Sequence, residues 1–125
     1  MSTDFKSSKA IFQQIADTLA HRILEGRLKA GDRVPSVRDL SEEFEVNRNT
    51  LLRTYGLLSD ACIIENKRGV GFFVADDAVE RIQTREKQAF FSEELPEFLN
   101  KVRLLGLTKA DLTELFEQLE NNAKS

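Results

Sequence analysis

Between residues 10 and 25 the apolar positions fall into two rows spaced by four, Ile11, Ile15, Leu19, Ile23 and Phe12, Ala16, Ala20, Leu24. Rows at that spacing lie side by side on one face of an α-helix, so the pattern predicts a first helix with a wide apolar face. Gly26 ends it. Residues 1–9 are short, polar or charged apart from Phe5 and read as a mobile arm. Residues 28–34 form a connector with a turn at Gly31-Asp32.

Two further helix starts follow about ten residues apart. Ser36, after Pro35, is placed to cap a helix over 36–44, with Asp39 three residues on in capping-box spacing. Asn47 is placed to cap a helix over 48–61 whose buried side is Leu51, Leu52, Tyr55 and Leu58. The first turn of that helix carries Arg48, Asn49 and Thr50. Acidic residues normally suit the positive end of the helix dipole. An arginine there makes physical sense when the helix N-terminus is aimed at phosphates and base edges, the arrangement of a helix-turn-helix DNA reader. Cys62-Ile63-Ile64-Glu65 and Gly71-Phe72-Phe73-Val74, two β-prone runs around the polar Asn66-Lys67-Arg68-Gly69, predict a hairpin. The expected class is therefore mostly α with a small β-hairpin, a winged helix-turn-helix over residues 1–75 followed by a short helical dimerisation tail over 76–125.

In the tail, helices are expected at 77–91, 93–105 and 109–121, with Ser92 capping the second so that Pro96 falls in its first turn. Thr108 and Asp111 stand in capping-box spacing at the start of the third. Leu95, Phe98, Leu99, Val102 and Leu105 make one apolar stripe, and Leu112, Leu115, Phe116 and Leu119 another. About 50 residues cannot enclose a core of their own and also spare a second surface. These stripes, with Phe91, are the expected interface of a homodimer.

The balance of 18 basic against 21 acidic residues argues weakly against a nucleic-acid partner. The acid is concentrated late: through Val74 the chain has 11 Lys and Arg against 10 Asp and Glu, and from Ala75 onward 7 against 11. Nothing approaches the ~20 consecutive apolar residues of a membrane span, so no membrane partner and a cytoplasmic location are expected. A single cysteine gives no internal disulfide, and a single histidine gives no zinc cluster. No metal and no cofactor are expected. Cys62 reads as a small buried hydrophobe.

Residues 11–74 resemble the DNA-binding domain of the GntR family of bacterial transcription regulators. The resemblance rests on Ile23, Gly26, Leu28, Gly31-Asp32, Val34 through Leu40, Val46 through Thr50, Arg53, Tyr55, Leu58 and Gly69-x-Gly71-x-Phe73-Val74. The tail, especially Phe90 to Phe98 and Leu104 to Leu107, is similar to the short dimerising tail of the YtrA subfamily. Cys62 stands where the family usually has glycine and Phe72 where it usually has threonine. The resemblance implies a homodimeric regulator, more often a repressor, on a near-palindromic double-stranded DNA operator. Family members fused to an aminotransferase-like domain need a pyridoxal-binding lysine and several hundred more residues, so no enzyme is expected here. The competing reading is a protein-interaction adaptor whose winged helix does not read DNA.

The candidate DNA-binding residues are Arg38, Asn47, Arg48, Asn49, Thr50, Arg53, Lys67, Arg68 and Gly69. Arginine has the planar fork that meets guanine O6 and N7, and Thr or Asn reaches a base edge or phosphate. Arg53 reads equally as a phosphate clamp or an ion-pair partner. Arg38 could pair with Asp39 or Glu42, whereas the resemblance implies a DNA contact. Lys67, Arg68 and Gly69 would bring cations and a close-approaching backbone to the minor groove. The small-molecule effector is unknown. Any signal is expected at the dimer interface or near 75–78, because the tail stripes leave little room for a metabolite cavity.

Overall fold

A computed structural model describes residues 9–124, with side chains through 122. Its elements run α1 (Ile11–Leu24), α2 (Val37–Phe44), α3 (Arg48–Asp60), β1 (Ile64–Lys67), β2 (Gly71–Val74), α4 (Ala78–Ala89), a π-helical turn (Phe90–Glu94), α5 (Leu95–Leu104) and α6 (Lys109–Lys124). The arm expected over residues 1–9 lies outside the described residues except for Lys9. The chain divides into two compact units, the first through Arg85 and the second from Glu86.

The first unit is built around α1 and α3. Ile15, Ala16, Leu19, Ala20 and Ile23 of α1 meet Leu51, Tyr55 and Leu58 of α3, and Leu40 of α2 completes the cluster. Burying each such Leu or Ile contributes roughly 1.5–3 kcal/mol. Leu52, expected on the buried side, is half exposed, because one step along a helix turns the side chain by about 100°. Thr54 is fully buried, and its hydroxyl, 2.8 Å from the Phe12 carbonyl and 3.2 Å from that of Thr50, ties α3 to α1. Arg22 forks onto the carboxylate of Glu43 and lies 5.3 Å from the Phe44 ring centroid, joining α1 to α2. That guanidinium holds the Glu43 carboxyl below its ordinary pKa.

β1 and β2 pair antiparallel with Ile64 opposite Val74 and Lys67 opposite Gly71. The first strand sits two residues later than expected, with Asn66 and Lys67 in β1 and the turn at 68–70, while β2 spans the expected Gly71–Val74. Cys62 is exposed, not buried, with φ 62°. Its N–H donates to the Ser59 carbonyl at 2.9 Å, completing the turn by which the chain leaves α3 ahead of buried Ile63. Residues 31–34, expected only as a connector, add an extended segment to the free edge of β2. Val34 N–H donates to the Phe72 carbonyl at 2.8 Å, and Val74 N–H to that of Asp32 at 2.9 Å. Ala75, Ala78 and Ile82 close the core, so the start of α4 belongs to the first unit.

In the second unit, Ser92 does not cap a new helix. Ala89, Glu94 and Leu95 all keep right-handed helical dihedrals, and the Leu95 N–H reaches back five residues to the Phe90 carbonyl. This wider turn lies immediately before Pro96, whose ring would crowd the carbonyl four residues back in a regular helix and which has no N–H to give. The Ser92 hydroxyl instead lies 3.4 Å from the Ala89 carbonyl. Thr108 and Asp111 form the expected capping box: Thr108 N–H donates to the Asp111 carboxylate at 2.9 Å and Asp111 N–H to the Thr108 hydroxyl at 3.3 Å. The first of these bonds holds the Asp111 carboxyl below its ordinary pKa. Leu95, Val102 and Leu112 are half-buried, while Phe91, Phe98, Leu99, Leu105, Leu115, Phe116 and Leu119 are exposed.

Candidate nucleic-acid interface

The turn between α2 and α3 is made by Glu45, which takes φ 55° and donates its N–H to Glu42, and by Val46, whose N–H bonds the Ser41 carbonyl. At the next residue but one the recognition end of α3 begins. Asn47 Oδ1 accepts the Thr50 N–H at 2.9 Å and the Thr50 hydroxyl at 3.2 Å. Both groups are thereby turned onto the cap. Arg48 and Asn49, on either side of the same turn, remain exposed. No acidic residue occupies this first turn, so the positive end of the helix dipole and the Arg48 guanidinium reinforce one another.

Arg38 lies in the first turn of α2, where Ser36 Oγ accepts the Asp39 N–H at 3.0 Å. Its Nε is 3.8 Å from the Glu42 carboxylate, and both side chains are largely exposed. Such a pair contributes little and is readily exchanged for another anion. Arg53 makes no ion pair among the described residues; its guanidinium stacks 4.3 Å from the centroid of Phe12. The stack holds the stem against α1 and leaves the charge at the surface.

At the wing, Lys67 Nζ sits 4.7 Å from the Phe73 ring centroid, and Arg68 and Gly69 form the exposed tip. Gly69 has φ 79°, a conformation that suits glycine, and the Val70 N–H closes the turn onto the Lys67 carbonyl at 2.8 Å. Tyr55 fixes the wing against the helices: its ring meets that of Phe72 edge-on at 4.9 Å, and its hydroxyl donates to the Pro35 carbonyl. Phe72, in place of the usual threonine, thus supplies packing.

The α3 start and the wing tip are parts of one unit with a shared core, and the cations Arg48, Arg53, Lys67 and Arg68 are claimed by no carboxylate among the described residues. Such a surface suits a polyanion. A further cation, Arg33, is not legible as part of this surface from the sequence, because its side chain acquires a place only when residues 31–34 pair with β2. The alternation of Arg33 with buried Val34 was the available signal. Among the described residues no cluster of His, Cys, Asp and Glu could hold a metal ion, and no helix is long and apolar enough to cross a membrane.

Residues 11–74 match the family described as bacterial regulatory proteins, gntR family. Over 114 residues the chain is 39% identical to the uncharacterized HTH-type transcriptional regulator YhcF of Bacillus subtilis, covering 91% of this chain and 93% of that one. It is 29% identical over 121 residues to the HTH-type transcriptional repressor YtrA of the same organism, covering 97% and 92%. A GntR family transcriptional regulator from Listeria monocytogenes superposes with a TM-score of 0.69 at 32% identity, over 89% of this chain and 96% of that one. The likeness extends through the tail as well as the winged helix. With its capped α3, its wing and the match across residues 11–74, the chain belongs to the gntR family of bacterial transcriptional regulators, which bind DNA through this helix-turn-helix.

Proposed function

We propose that the protein is a homodimeric repressor that reads a near-palindromic operator in the cytoplasm, with the start of α3 in the major groove and the wing in the adjacent minor groove. The observation that carries this reading is the Asn47 cap. It engages Thr50 and leaves Arg48 and Asn49 exposed at the positive end of α3. Arg48 and Asn49 then meet base edges. Asn47 and Thr50 contribute from the cap, Arg38, Arg53 and Lys67 hold phosphates, and Arg68 and Gly69 at the wing tip enter the minor groove.

The second unit supports the dimeric part of this reading. Phe91, Phe98, Leu99, Leu105, Leu115, Phe116 and Leu119 are exposed in the single chain, and apolar surface of that extent is characteristic of an interface. Together with half-buried Leu95, Val102 and Leu112, they would bury against a second copy. A two-fold dimer delivers two recognition helices about 34–36 Å apart, the spacing of successive major grooves. The assignment to repression is supported by the YtrA relative, which is named a repressor.

The test is operator binding by variants. Arg48→Ala should cost about 1–3 kcal/mol and relax discrimination at one base position, whereas Lys67→Ala should weaken binding evenly across sequences and reduce the salt slope by about one. Wild-type binding by both variants would refute the assignment.

A further inference from the structure

Arg33 lies outside the recognition helix and the wing tip, yet the pairing of residues 31–34 with β2 brings it onto the wing. Its backbone bridges to Phe73, while Val34 beside it is buried. Neighbouring residues of an extended segment point to opposite faces, so Arg33 is directed outward. The outer face of the sheet therefore collects Arg33, Glu65, Lys67, Gly71 and Phe73. Phe72 and Val74 point the other way, toward Tyr55 and the core.

The Arg33 side chain does not simply project from its own register position. A β-carbon at Gly71 would lie 3.0 Å from Arg33 Nε and 3.2 Å from Nη2 but 3.5 Å from Cζ, so the guanidinium turns its Nε–Nη2 edge toward the space a side chain at Gly71 would fill, two residues nearer the wing tip than its bridge partner Phe73. From the opposite side of β2, Lys67 starts across from Gly71 and reaches back over the Phe73 ring. Two cations carried by the segments flanking β2 thus lean over the same strand. Gly71, at φ 138°, provides the space in which one of them lies. Arg33 has no ion pair among the described residues, and Glu65 on the same face pairs with neither cation.

We propose that Arg33 and Lys67 together form a phosphate clamp on the outer face of the wing, gripping the DNA backbone beside the groove that the tip enters. The inference rests on the DNA-binding reading above and adds to it a contact from the segment before α2. With the Nε–Nη2 edge turned toward Gly71, the terminal Nη1–Nη2 edge of the exposed side chain is left to engage a phosphate with two hydrogen bonds. Lys67 supplies the second charge.

The clamp is tested with a short mixed-sequence DNA duplex as the probe, measuring binding by fluorescence anisotropy over about 50–300 mM NaCl. Each phosphate contact contributes about 0.9 to the slope of log affinity against log salt. Arg33→Gln should lower the magnitude of the slope by about 0.9 with the thermal melt unchanged, and Arg33→Gln with Lys67→Gln by about twice that. Arg33→Lys should keep the slope and bind more weakly at every salt concentration. Arg27→Gln removes a cation of the same unit that is paired with Glu25, and it should leave the slope as in the wild type. A wild-type slope in Arg33→Gln, with a reduced slope in Lys67→Gln, would overturn the clamp and leave the DNA reading standing. An equal reduction in Arg27→Gln would reassign the effect to net charge and overturn it too. If Arg33→Gln melts early, the Arg33→Lys slope decides: a drop of about 0.9 in that folded, charge-preserving variant contradicts the clamp. No salt-dependent binding by the wild type would remove both the reading and the clamp.

Discussion

The Tyr55 hydroxyl donates to the carbonyl oxygen of Pro35, tying the middle of α3 to the residue just ahead of the α2 cap. The same ring meets Phe72 of the wing edge-on, so one buried side chain sets α2, α3 and the wing relative to one another. Tyr55→Phe keeps the ring and leaves the Pro35 carbonyl without its donor. That should cost about 1–2 kcal/mol, a fall in melting temperature of about 4–8 °C per kcal/mol for a unit of this size.

Burial raises the Tyr55 hydroxyl well above the ordinary tyrosine value, and the charge of Asp39 adds to the shift. The folded state thus favours the protonated phenol. Its contribution to stability is complete below the unfolded value of about 10 and is lost progressively as pH rises from there toward the higher folded value. Denaturant melts from about pH 9 to 11 should show a decline for the wild type that is shallower in Tyr55→Phe. Parallel curves would contradict the assignment.

The cap of α3 allows stability and binding to be separated at one residue. Asn47→Ala loses the acceptor for the Thr50 N–H and should destabilise the fold by about 1 kcal/mol. Asn47→Asp keeps that acceptor and adds a favourable charge at the dipole, so the melting temperature should hold or rise. The same charge faces phosphate in the proposed complex, and DNA affinity should fall. An Asp variant that binds as well as wild type would place the start of α3 away from DNA.

What was legible in the sequence was what local chemistry decides. Asn47, Ser36 and Thr108 announced their helices because a cap needs only the three or four residues after it. The Ile15 to Ile23 row announced α1 because its period is the helix period. Arg33 drew no reading and Cys62 was expected buried, because their settings depend on chain pairing and turn geometry beyond the local pattern: one gains its neighbours from β2, the other stands exposed in the turn after α3. Pro96 suggested a new helix at Ser92. A local rule for proline does not foresee that a π turn can carry the helix past it.

The tail stripes carry the dimer prediction. Leu99 and Leu115 are about half exposed in the single chain. Leu99→Asp with Leu115→Asp would bury unpaired charge in the proposed interface. Light scattering at micromolar concentration should give a dimeric mass for the wild type and a monomeric mass for the double variant, with the melt of the first unit retained. A monomeric wild type would contradict the dimer.

Base reading by the start of α3 is tested by selection from a random duplex library with wild-type protein and with Arg48→Ala. Wild type should enrich an inverted repeat whose half-site centres are about 10–10.5 base pairs apart or a multiple of that. Arg48→Ala should enrich the same repeat with discrimination lost at one symmetry-related position. An unenriched wild-type pool, or identical enrichment by both proteins, would show that the start of α3 does not read base sequence.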